Sequence, residues 1–341
     1  MNILTGTSKN SWQPTVTADT TTSSYWLNWR VTLCSLWILI SLVFASILIS
    51  KYEYPRNHSR EGSREALKES PGTLYQDEVW KPCLKTLHPA WLLGLRVIAF
   101  LVLLLTLILN VAVDGGEIMY YYTQWTCTLI TIYFGLGSLL SIYGCYQYHN
   151  RVVNMNEDDG PDMEPGVHGE NSRMSNYVKS FGSNEQHDKQ LAGFWSYAFQ
   201  VMFQMTAGAV LLTDFVFWVI IVPFLTTKDY GLSFLIVSMH SINAVFLLAE
   251  TGLNCLRFPW FRIAYFFLWT AVYVIFQWIV HACMALWWPY PFLDLSSSHA
   301  PLWYLSVALL HIPCYSLFVL IMKLKHFYLS KWFPQSHQSP Q

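Results

Sequence analysis

Charged side chains are scarce: they make up 12% of the 341 residues, against 53% hydrophobic and 17% aromatic. A water-soluble globule of this size could not cover so much apolar surface with so few polar groups, and the surplus calls for lipid. Neither sign of charge is in excess, with 20 Lys and Arg against 21 Asp and Glu. Without a net field to draw in a polyanion, nucleic acid is excluded as a partner. Cysteine is sparse as well. The seven form neither a CxxC metal pattern nor the framework of a disulfide-stapled domain, so no metal site and no cofactor is read from them. Cys83 and Cys255 stand in short polar stretches, where a thiol either packs or accepts an acyl chain. The first 24 residues, rich in Ser, Thr and Asn, lack the basic-then-apolar layout of a cleavable signal peptide. Insertion is therefore expected to rely on the first apolar helix.

What is present is a series of long apolar runs. A hydrocarbon core about 30 Å thick takes roughly 20 residues of helix. Seven runs reach that length: Val31 to Ile49, Trp91 to Val113, Tyr120 to Tyr146, Ala198 to Leu225, Gly231 to Gly252, Ile263 to Trp287 and Leu302 to Met322. The fold class expected is an all-α polytopic membrane protein with about seven transmembrane helices.

Outside the runs, the first, third and fifth loops and the carboxyl tail hold 16 Lys and Arg. The amino tail and the even loops hold three. By the positive-inside rule the amino terminus lies outside the cytosol and the carboxyl terminus in it, a pattern that an even number of helices would break. Two of the loops expected in the cytosol are long. Residues 50–90 carry interspersed charge and the one sequon, Asn57-His58-Ser59, which should stay unglycosylated there. The other, from residue 147 to 197, is polar enough to be read as disordered. Gly137, Ser141 and Gly144 give the third run a small-residue face for close helix packing. Trp26, Trp29, Tyr120 to Tyr122, Trp287, Trp288, Tyr290 and Trp303 gather at helix ends and are read as interfacial anchors rather than a ligand cage.

Ionisable groups inside a bilayer are costly, so each is a functional candidate. Arg96 and Glu250 fall near helix ends, where they can snorkel or pair. Asp214, His240, His281 and His311 lie on four successive helices. At about 1.5 Å per residue, His240 and His311 sit roughly 14 Å below the outer border, Asp214 roughly 15 Å and His281 roughly 9 Å. Three chemistries use such a group: a His base activating a hydroxyl, a His metal site activating water, or His ligation of haem. No HExxH is present and no His repeats at i+4. Thr123, in the first turns of the third run, lies at a usable depth, but a transmembrane Thr is ordinarily a back-bonding or packing residue.

The stretch Tyr122-Thr123 followed by Ile132-Tyr133-Phe134-Gly135, Met239-His240-Ser241 leading to Glu250, and His281 with Trp288-Pro289-Tyr290-Pro291-Phe292-Leu293 resemble the androgen-induced family of intramembrane threonine hydrolases. Pro82-Cys83-Leu84-Lys85 and His88-Pro89-Ala90-Trp91 extend the likeness to the rolling-stone-like transmembrane proteins, a group associated with cell fusion and membrane organisation. The first resemblance covers roughly Trp91 to Met322. It implies hydrolysis of fatty-acyl esters, with Thr123 as nucleophile, His240 as base and His281 orienting or assisting; Asp214 and His311 are added as supporting residues on their depth alone. The chain departs from that pattern in its additional first helix, in its long third loop, and in carrying Asp214 where an apolar residue is expected.

Three functional readings follow. The first is a lipid-ester hydrolase. The second is a non-catalytic membrane scaffold or cell-surface organiser, whose long loops recruit partners. The third places zinc on His240, His281 and His311. Membrane lipids are the expected surroundings in each, in the plasma membrane or an endomembrane.

Overall fold

The computed structural model describes residues 16, 18–53, 74–158, 191–225 and 233–337. The sequon, residues 159–190 of the third loop and its acidic tract beyond residue 158 lie outside the described residues.

Seven helices are long and apolar enough to cross a membrane: α1 (Trp29–Tyr52), α2 (Pro89–Asp114), α3 (Tyr122–Asp158), α4 (Phe194–Phe224), α5 (Phe234–Leu253), α6 (Trp260–Cys283) and α7 (Ala300–Trp332). Their ends follow local chemistry. Asn28 Oδ1 accepts from Arg30 N and Val31 N at the start of α1. His88 Nδ1 accepts from Ala90 N, with Pro89 in the first turn of α2, where its missing N–H costs nothing. Gly115 ends α2 at φ 79°, ψ −177°, a conformation open almost only to glycine. α3 and α7 both continue beyond their apolar runs, so the first residues of the third loop are helical to Asp158. No strand forms among the described residues; three isolated bridges join loop to loop.

The distribution of polarity is the reverse of a soluble core. Leu39, Val43 and Ile47 of α1 and Leu101, Leu105 and Ile108 of α2 face outward, whereas Arg96, Gln204, Glu250 and Gln277 are fully buried. Apolar side chains outside and hydrogen-bonded polar ones inside are what a hydrocarbon solvent selects.

α4 is the central element, packed by α3, α6 and α7, while α1 lies at the edge on α6 and α7. Arg262 Nε meets Glu53 Oε1 at 2.6 Å and fixes the end of α1. The small-residue face of α3 admits side chains rather than a helix backbone. Gly137 faces Phe199 and Arg96, and Gly144 faces the indole of Trp80. Ser141 Oγ accepts from Arg96 Nη1 at 2.6 Å. Arg96 and Glu250 do not snorkel: they pair with each other at 2.6 Å, wholly buried.

The bundle has two ends. Thr20 to Arg30, the Gly115–Tyr121 turn and the 284–299 loop gather at the amino-terminal face, tied by Tyr25 Oη to Asp294 and Arg30 Nη1 to Ser296 O. The ends of α1, α3, α5 and α7 gather at the opposite face.

Candidate functional site

At the amino-terminal face, α3 to α7 and the 284–299 loop enclose a cavity of about 570 Å³. Its walls are mainly aromatic and aliphatic, from Tyr121, Tyr122, Phe217, Ile236, Tyr273, Trp287 and Phe292, with Asp114 and Glu117 also contributing. Tyr121, Tyr122, Trp287 and Tyr290, expected as interfacial anchors, line this cavity. Trp29 and Trp303 stand exposed.

Two helices lose regularity here. α5 is interrupted at His240 (φ −104°, ψ 16°) and Ser241 (φ −145°, ψ −44°). From Val216 the end of α4 widens into a π-helix that contains Pro223 and runs on to Leu225. The interruption disturbs the ladder at the His240 carbonyl, which accepts from Trp218 Nε1 of the π segment at 2.9 Å. A broken backbone at membrane depth persists where protein re-satisfies it, and such breaks concentrate at functional sites.

The imidazole of His240 is buried on the cavity wall, stacked flat on Phe217 with ring centroids 3.7 Å apart. Behind it, Asp214 Oδ1 lies 3.7 Å from His240 Nδ1 and accepts from Asn243 Nδ2 at 3.4 Å. Among the described residues, His240 Nδ1, Asp214 Oδ2 and Gln124 Oε1 have no hydrogen-bond partner.

Thr123 lines the same cavity. Its hydroxyl pairs with Tyr290 Oη at 3.4 Å and not with His240. That distinguishes it from Thr128, Thr131, Thr213 and Thr251, whose hydroxyls donate to the carbonyl four residues back. Tyr290 sits in the 284–299 loop, where burial raises its pKa above the usual phenol range and keeps its proton on.

The other candidates are placed differently. His281 packs against the 284–299 loop: its ring stacks on Trp288 at 3.7 Å, Nδ1 lies 2.7 Å from Gln277 O of its own helix and Nε2 lies 3.3 Å from Trp287 O, and the single N–H of a neutral ring can donate to one of these two carbonyls. His311 Nδ1 lies 2.8 Å from Val307 O, a bond that only a ring N–H can make. The lone pair of Nε2 then faces Thr270 Oγ1 at 2.8 Å, and Thr270 bonds Tyr122 Oη at 2.9 Å. Thr270 also lines the cavity, so the site holds a second hydroxyl, already paired with an imidazole. No motif marks Thr270 or Tyr122, because the pairing spans α3, α6 and α7. His240, His281 and His311 do not form a metal-ligand group among the described residues.

The fold and the buried polar groups define a multi-pass α-helical membrane protein with an aromatic-walled cavity at one face. No family model, curated protein or solved structure matches the chain.

Proposed function

We propose that the protein hydrolyses fatty-acyl esters drawn from the surrounding membrane, with Thr123 as nucleophile and His240 as general base. The observation that carries the proposal is the presence of Thr123 and His240 on one apolar cavity, with Asp214 behind the imidazole. The resemblance of the segments around Thr123 and His240 to the androgen-induced hydrolases supports the same assignment.

In the proposed reaction, His240 takes the Thr123 proton, directly or through a water, as the hydroxyl oxygen attacks the ester carbonyl. The Tyr290 phenol, 3.4 Å from Thr123 Oγ1, is placed to donate to the oxyanion. Collapse expels the alcohol, which takes the proton from His240. Water then attacks the acyl-threonine, releasing the fatty acid and restoring the Thr123 hydroxyl. Asp214, 3.7 Å from His240 Nδ1, balances the charge of the imidazole while it is protonated. The acyl chain occupies the aromatic part of the cavity.

A second assignment of the nucleophile rests on the 2.8 Å contact between Thr270 and His311, since a hydroxyl–imidazole bond already exists there. We place the amino-terminal face outside the cytosol, on the excess of Lys and Arg in the loops and tail of the opposite face.

The test is labelling of the detergent-solubilised protein with a lipid-like fluorophosphonate, followed by mapping of the modified peptide. The expected adduct is on Thr123, absent in Thr123→Ala and His240→Ala and retained in Thr270→Val. An adduct on Thr270 transfers the role to the α6 and α7 pair. A folded wild type without an adduct overturns the hydrolase and favours a scaffold.

A further inference from the structure

We infer that the opposite face carries a structural zinc site whose core is Cys83, His326 and His337, with Cys255 beside Cys83 closing onto the ion as the fourth ligand. These residues come from four separate places: the first loop, the link between α5 and α6, the last turns of α7, and the tail beyond it. Their backbones are held by main-chain bonds. Cys83 N donates to Leu253 O at 2.8 Å, and Pro82 pairs with Asn254 in an antiparallel bridge. Lys85 N donates to Ser336 O at 2.8 Å, Leu84 pairs with His337, and His337 N returns to Phe333 O at 2.9 Å. Side chains fixed by their own backbones in this way are preorganised to bind.

Two of the spacings approach those of tetrahedral zinc. Zn–S of about 2.3 Å and Zn–N of about 2.0–2.1 Å at tetrahedral angles put sulfurs about 3.8 Å and nitrogens about 3.3 Å apart. Cys83 Sγ and Cys255 Sγ are 3.5 Å apart, and His326 Nδ1 and His337 Nε2 are 3.3 Å apart. The ligand atoms of Cys83, His326 and His337 all fall within 4.8 Å of one another; Cys255 Sγ touches this group through Cys83 and has to move inward to take the fourth position. The sulfur separation is far beyond the roughly 2.05 Å of a disulfide.

The chemistry of the set selects the metal. Two thiolates and two neutral imidazoles cancel the charge of a divalent ion, so the assembled site adds no net charge to a buried place. Sulfur and nitrogen donors disfavour calcium and magnesium and suit zinc. Cys83 is 1% exposed and Cys255 5%, which leaves neither open to acylation. Lys325 Nζ donates to Asn254 O at 2.5 Å, bracing the residue before Cys255. With all four positions taken by protein, the ion would clamp the first loop and the tail onto α5 and α7 rather than activate water. The site is independent of the cavity and of the proposed hydrolysis.

The test uses full-length protein purified without a polyhistidine tag, under reducing conditions. Elemental analysis should find about one zinc per chain, as four protein ligands fill one tetrahedral ion. Cys83→Ser with Cys255→Ser, and separately His337→Ala, should lose it. A strong zinc chelator should lower the melting temperature, with recovery on adding zinc but not magnesium. Should these variants fail to fold, cobalt(II) exchanged into wild type should show tetrahedral d–d bands with thiolate charge transfer. Wild type that is metal-free, melts alike with and without chelator, and gives octahedral cobalt spectra would overturn the site. So would a Cys83–Cys255 disulfide in the purified chain.

Discussion

The guanidinium of Arg96 on α2 and the carboxylate of Glu250 on α5 meet at 2.6 Å with neither side chain reaching the surface. The pair is fully saturated. Tyr133 Oη donates to Glu250 Oε1 at 3.0 Å, and Arg96 Nη1 reaches Val79 O at 2.9 Å and Ser141 Oγ. Breaking a buried pair from one side leaves the other charge uncompensated, at a cost of about 3–5 kcal/mol. Glu250→Ala should therefore lower the detergent melting temperature sharply, and Arg96→Leu with Glu250→Leu together should lower it less. A double variant at least as unstable as the worse single one would show that the network, not the charge, is what matters.

Gly144 on α3 faces Trp80 so closely that an added Cβ would overlap the indole, while Gly94 on α2 has nothing within 4 Å of the same position. Gly144→Ala should destabilise by about 1–3 kcal/mol, the usual cost of overpacking. Gly94→Ala should be neutral or stabilising by up to about 1 kcal/mol through helix propensity. Thermal melts of the two variants side by side check the contrast.

His281 and His240 should separate structure from chemistry. Removing the His281 ring strips the 284–299 loop of its stacking on Trp288 and of its contact with Trp287 O, a loss of about 1–3 kcal/mol. Hydrogen exchange in that loop should rise in His281→Ala. His240→Ala should leave that exchange at the wild-type level and abolish covalent labelling.

Ile236 is half-buried on the cavity wall. Ile236→Trp should fill the space meant for an acyl chain, so labelling by a long-chain fluorophosphonate should fall at least tenfold while a short-chain one is less affected. Equal loss with both probes would mean that the substitution disturbs the reacting groups instead.

The orientation can be read by glycosylation. A sequon on an extension of the amino tail should gain a glycosidase-sensitive mass increment, whereas native Asn57 should stay unmodified. The reverse pattern would invert the topology.

Seven spans were legible in the sequence because a membrane helix is a local property: some twenty apolar residues announce it wherever the rest of the chain goes. Thr123, His240 and Asp214 were legible as candidates for a similar reason, since polarity inside an apolar run stands out against its immediate neighbours. Their relations were not. Helix periodicity says nothing of the break at His240 and Ser241, which depends on the π segment of α4 and on Trp218 reaching the freed carbonyl. The sequence placed His240, His281 and His311 at comparable depth, but depth leaves open which way each ring points. Tertiary packing turned His281 onto a loop, His311 onto Thr270 and His240 onto the cavity. The gathering of Cys83, Cys255, His326 and His337 is the furthest from sequence. It rests on backbone bonds between segments up to hundreds of residues apart, and only the folded bundle brings those together.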